Sequence, residues 1–241
     1  MNKPFLHNSF LSLLRSPQGE AGTVLLFSPL LIITWYYFGS REFFWQHRPE
    51  WSAAAGDPAA AACTYMFLAA FVLLGLIPFL VVRFVLRRPP ADYGVSFGNR
   101  RRTCRSFLLL APVMILIAWL SAHDHTIQAY YPLNRRAGET SAGFAFHAAM
   151  YVLYYLGWEF HFRGFLQHGL RRTMGDWPAM LVQTLASTLA HLGRPAVETY
   201  AAVIAGVFWG FLAFRTRSLL SGLLQHALLG VTVDYFLCRR W

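Results

Sequence analysis

Residues 59–82, AAAACTYMFLAAFVLLGLIPFLVV, run through roughly 24 positions without a charge. A helix of that length crosses the ~30 Å hydrocarbon core of a bilayer, for which about 20 apolar residues suffice. Similar uncharged runs recur along the chain: Ala21 to Ser40, Ser106 to Ser121, Thr140 to Trp158, Trp177 to Gly193, Thr199 to Phe214 and Ser218 to Val233. The shorter ones are extended by Trp, Tyr or snorkelling Arg at their ends. The run from Thr140 continues through Glu159 and Arg163 to about Leu170. This pattern predicts an all-α, polytopic transmembrane bundle of seven spans, or eight if an end re-enters.

Composition agrees with that class. Hydrophobic residues make up 56% of the 241 and charged residues only 13%, too few to cover the surface of a soluble domain of this size. Before the first span, Phe5-Leu6, Phe10-Leu11 and Leu13-Leu14 follow helical spacing and predict a short helix lying in the interface. No small-residue cleavage site follows it, which predicts a retained amino terminus.

Arginine placement sets the expected orientation, because positive loops stay cytoplasmic. With the amino terminus inside, Lys3, Arg15, Arg83, Arg87, Arg88, Arg100, Arg101, Arg102, Arg105, Arg171, Arg172, Arg215 and Arg217 are cytoplasmic. Arg41, Arg48, Arg135, Arg136, Arg194, Arg239 and Arg240 then lie outside, the last two against the rule. The Pro89-Pro90 pair and the Arg-rich segment after it read as a cytoplasmic linker. It divides residues 1–105, with the interfacial helix and two spans, from a transmembrane core at 106–241.

The net charge of +10 does not indicate nucleic acid, since the positives sit at the ends of apolar runs and the densest cluster, Arg100 to Arg105, precedes the third span. Anionic lipid head groups are the simpler partner. Cys63, Cys104 and Cys238 are scattered and define neither a disulfide framework nor a zinc site.

Three ionisable residues, Glu159, His191 and His226, fall inside separate apolar runs, where each is costly and therefore a functional candidate. Arg163 follows Glu159 by four, on one helix face, and can keep the carboxylate ionised. At 1.5 Å per residue Glu159 lies roughly 18 Å from the Arg171 end of its helix, His191 roughly 21 Å from Trp177 and His226 roughly 12 Å from Ser218. All three helices start from the same side, so these depths overlap. His147, His161 and His168 read as histidines bonded to a neighbouring helix. A carboxylate that takes a proton from water, with imidazole and guanidinium donors for an oxyanion, suffices for peptide hydrolysis.

The run Trp158-Glu159-Phe160-His161-Phe162-Arg163-Gly164, with His191, Glu198-Thr199, Arg215-Thr216-Arg217-Ser218 and His226, resembles the intramembrane glutamic proteases of the CPBP family, which includes type II CAAX prenyl proteases. The resemblance covers about Gly143 to Tyr235. It implies catalytic roles for Glu159, His191 and His226, with Arg163 in support. The chain departs from the family pattern at Trp158, where a first glutamate is usual, at Ser187 in place of Phe, and at Gly230 in place of Asn or Asp. Compensation in volume between Trp158 and Gly230, with Asp234 as replacement polar partner of His226, is the expectation for these changes.

Neither a metal nor a cofactor is expected, because the candidate ligands lie on three helices and Arg163 would repel a cation. Two readings follow. The first is a multi-pass intramembrane endopeptidase of a bacterial cell membrane, acting on a membrane-anchored protein or peptide, with Glu159 activating water, His191 and His226 holding it, and Arg163, Asp234 and Glu198 supporting. The second is a non-hydrolytic membrane partner, such as an immunity protein, chaperone or transporter, in which Glu159 and Arg163 pair structurally.

Overall fold

The computed structural model describes residues 14–48, 50–51 and 56–239. The predicted interfacial helix, within residues 5–14, falls almost wholly outside the described residues, as does Arg240. Among the described residues the fold is all-α, with nine helices and no strand. They are α1 (Pro17–Phe38), α2 (Arg41–His47), α3 (Pro58–Val85), α4 (Arg100–Ser121), α5 (His125–Tyr130), α6 (141–174), α7 (Asp176–Leu189), α8 (Ala196–Thr216) and α9 (Leu220–Cys238).

Local sequence explains where they begin. Ser16 accepts from the Gly19 amide ahead of Pro17, and Asp57 accepts from Ala59 and Ala60 ahead of Pro58, each pairing an oxygen cap with proline in the first turn. Thr140 caps α6 through the Gly143 amide. Asn99 accepts from the Arg102 amide, so the basic cluster read as linker forms instead the first turns of α4.

Every predicted run lies on a helix. Five helices, α1, α3, α4, α8 and α9, are long and apolar enough to cross a membrane. The other two runs differ for physical reasons: α7 has only 14 residues, and the uncharged part of α6 ahead of Glu159 is diluted by His147, Tyr151, Tyr154, Tyr155 and Trp158. Together these helices make a multi-pass membrane protein.

The ends of the bundle sort cleanly. At one end Glu20 binds Arg88 at 2.7 Å, Thr173 binds the Pro17 carbonyl, and the Asn99 amide binds the Thr216 carbonyl. At the other, Arg41 donates to the Leu133 carbonyl at 2.7 Å and Asn134 donates to Asp57. Thus α7 and α9 start, and α6 ends, on one side, the end that gathers Arg88, Arg100 to Arg102, Arg171 and Arg172; α6 itself starts from the opposite end, beside Asn134, so it runs antiparallel to the other two.

Helix α6 is the centre, packed by α3, α7 and α9 and, at its last turns, by α1. It meets α3 where Gly75 faces Gly157. A Cβ on Gly157 would stand 2.6 Å from the Ala70 carbonyl oxygen, so only glycine lets the backbones approach this closely. From Phe160 to His168 the helix widens into i→i+5 turns, and all nine of these residues are buried. Such widened turns are rare and concentrate at functional sites.

Candidate active site

Glu159 closes the regular part of α6 just before the widened segment and is 1% exposed. Its Oε1 accepts from His226 Nδ1 on α9 at 2.8 Å and lies 3.3 Å from Arg163 Nη1. Its Oε2 is buried without a hydrogen bond among the described residues and points at Gly222, where a Cβ would be 2.7 Å away. Any larger residue at 222 would press on the carboxylate.

The His226 imidazole is held between two aromatic rings. Tyr155 lies 4.5 Å from it, and Trp209 of α8 stacks at 4.3 Å and 30°. The Arg163 guanidinium sits over the same Trp209 ring at 5.6 Å. An indole face favours cations, so Trp209 supports positive charge on both neighbours.

His226 and Arg163 line a cavity of about 220 Å³ bounded also by Trp158, His191, Glu198, Tyr131, Tyr155 and Trp209. Its remaining wall is mostly aliphatic, including Ile117, Val197, Ala201 and Leu229. His191 follows the last turn of α7. Its Nδ1 bonds the Ser187 carbonyl at 2.7 Å, its Nε2 lies 3.9 Å from Glu198 Oε1, and its ring meets the edge of Trp158 at 5.2 Å. The structure therefore brings Glu159, Arg163, His191, Glu198 and His226 to one site. Glu159 itself stands behind His226 and is not among the cavity-lining residues.

Asp234 is placed elsewhere. It is fully buried, accepts from His147 at 2.8 Å and from the Leu133 amide, and so ties α9 to α6 and to the 131–134 loop. Nor do Trp158 and Gly230 exchange volume with each other. The space beside Gly230 is taken by Tyr155, whose hydroxyl would overlap any Cβ there, while Trp158 packs among Trp35, Tyr154, Phe162 and His191. His161 bonds Ser28 of α1 at 2.7 Å, and His168 bonds the Arg163 carbonyl of its own helix.

Sequence reasoning overlooked Tyr131, Tyr155, Arg194 and Trp209. Arg194 carried a usable signal: with Glu198 it repeats the i, i+4 spacing of Glu159 and Arg163, and it donates to Glu198 at 3.2 Å. Tyr131 reaches the site from a loop between α5 and α6, which no local pattern marks.

A buried carboxylate, guanidinium and imidazole converging on a cavity within a bundle of apolar helices define a membrane protein with a polar site inside it. Residues 140–232 match the family model described as type II CAAX prenyl endopeptidase Rce1-like. That match covers less than half of the chain and is a likeness of this part of it to that family. It spans α6 to most of α9, the helices that build the site. No significant match is found among curated proteins or among solved structures.

Proposed function

We propose that the protein is a metal-independent intramembrane endopeptidase that hydrolyses a peptide bond in a membrane-anchored protein or peptide seated in the α6–α9 cavity. The observation that carries this reading is the 2.8 Å bond from His226 to Glu159, with Arg163 3.3 Å from the same oxygen, on the wall of a cavity that also presents His191.

The division of labour follows from which atoms reach the cavity. Glu159 fixes the proton on His226 Nδ1 and stabilises an imidazolium, so that Nε2–H becomes a donor directed at a substrate carbonyl. Arg163 lies alongside as a second cation. As the carbonyl becomes tetrahedral these groups meet the developing oxyanion, an arrangement whose loss costs about two to three orders of magnitude in rate. Glu159 then acts through His226 rather than on the water directly. A cation at this place would meet Arg163, which supports a mechanism without metal. Among the described residues no group of three or more His, Cys, Asp or Glu converges as metal ligands would.

The aliphatic lining suits an apolar segment next to the scissile bond, such as a terminal sorting segment, a prenylated tail or a leader peptide. The exposed arginines 100, 101, 102 and 105 at the start of α4 suit anionic lipid in a bacterial cell membrane. The burial of Glu159 and Arg163 also suits a non-hydrolytic partner protein, but such a pair needs neither the cavity nor the two imidazoles facing it. Replacing His226 by Ala, at matched membrane levels, is expected to leave precursors uncut. Unchanged processing would remove the endopeptidase reading.

A further inference from the structure

We propose that Glu198 and His191 form the water-activating pair of this site, an assignment that rests on the endopeptidase reading. Two carboxylates stand near the cavity, and they differ in what they can touch. Glu159 is 1% exposed and screened by His226, whereas the Glu198 side chain is 22% exposed and lines the cavity. Only Glu198 can meet a water molecule there directly.

Its surroundings hold it as a carboxylate and fix its direction. Tyr131 Oη lies 3.0 Å from both Glu198 oxygens, and Arg194 Nη1 donates to Oε1 at 3.2 Å. Burial pushes the Tyr131 phenol well above its ordinary range, so it remains a neutral donor. Arg194 is itself anchored by donating to Tyr131 at 2.6 Å and to Tyr154 at 3.2 Å. Glu198 also lies in the first turn of α8, where the helix dipole favours negative charge.

His191 supplies the second half. A backbone carbonyl can only accept, so the 2.7 Å bond to Ser187 fixes the proton of a neutral ring on Nδ1 and leaves Nε2 as a bare acceptor. The 3.9 Å between that Nε2 and Glu198 Oε1 is too long for a hydrogen bond and fits one bridging water. Flanked by two acceptors, the water donates both protons and turns its lone pairs toward the cavity.

The chemistry closes. The water oxygen bonds to the peptide carbonyl carbon while Glu198 takes one proton and the carbonyl π pair moves to oxygen, facing His226 and Arg163. The tetrahedral adduct then collapses, the C–N bond breaks, and the proton held by Glu198 passes to the leaving amine nitrogen. One peptide and one water become a carboxylate and an amine, with the excess proton released to solvent.

The competing view is that Glu198 merely staples α8 to the 131 loop through Arg194. The test compares the termini of membrane and secreted proteins in native cells carrying wild type, Glu159→Gln, Glu198→Gln or Glu198→Asp. Each is expressed at matched membrane levels, with thermal unfolding in detergent followed by tryptophan fluorescence. The expected result is a loss of cleavage of about a hundredfold or more in Glu198→Gln, intermediate cleavage in Glu198→Asp, and unfolding temperatures that do not track cleavage. If Glu159→Gln stops cleavage while Glu198→Gln still cuts within a few-fold of wild type, or if lost cleavage only follows lost stability, the assignment to Glu198 is overturned and the endopeptidase reading stands. If wild type, Glu159→Gln and Glu198→Gln all give the same termini, that reading fails first and takes this assignment with it.

Discussion

His226 Nδ1 lies 2.8 Å from Glu159 Oε1, joining α9 to the centre of α6 across 67 positions of chain. With Arg163 against the same oxygen, the three groups share one buried charge balance. Arg163→Met would leave Glu159 with His226 alone, and removing one member of a buried pair costs about 3–5 kcal/mol. The double variant Arg163→Met, Glu159→Gln is expected to lose less than the two single changes added together. Unfolding in detergent micelles, measured as a double-mutant cycle, checks this, and strict additivity would mean the pair is not coupled.

Tyr155 occupies the space that a side chain at 230 would need. Gly230→Ala forces the ring or α9 to move and is expected to cost about 1–3 kcal/mol, as overpacking of a filled core does. Gly230→Asn should be worse unless Tyr155 is made smaller. In a Tyr155→Leu background the penalty of Gly230→Ala should largely vanish, and the same unfolding assay would show it. An equal penalty in both backgrounds would mean that Tyr155 is not what excludes the side chain.

The guanidinium of Arg163 beside Glu159 leads to an expectation about metals. Once a cut precursor is in hand, its processing in isolated membranes should be unchanged by EDTA or phenanthroline, and the purified protein should hold zinc well below one equivalent. Inhibition reversed by added zinc would contradict the metal-independent mechanism.

The basic end of the bundle is expected to face the cytoplasm. In a cysteine-free background, Glu139→Cys should react with a membrane-impermeant maleimide on intact cells, and Arg101→Cys only after permeabilisation. The two sites lie at opposite ends of the bundle. The reverse pattern would invert the topology.

Much of this was legible before the structure. Apolar runs located every long helix because a bilayer imposes a length on each crossing, and distances counted from the end where α6 finishes and α7 and α9 begin put Glu159, His191 and His226 at overlapping depths. Capping chemistry also fixed details that run counting blurred: Asn99 starts α4 at Arg100, turning an expected linker into helix. The site's finer arrangement was hidden because it depends on side-chain direction. Spacing alone cannot tell that Glu159 turns behind His226, that Asp234 turns to His147, or that Tyr155 rather than Trp158 fills the gap at Gly230. Tyr131 comes from an irregular loop, where no periodicity exists to read.

The most direct test of the central claim compares the termini of membrane and secreted proteins in native cells carrying wild type or Glu159→Gln at matched expression. The account predicts specific precursors that accumulate uncut in the variant while the protein stays folded in the membrane, and those precursors name the substrate. Identical termini in the two strains, with the variant folded and present, would contradict it.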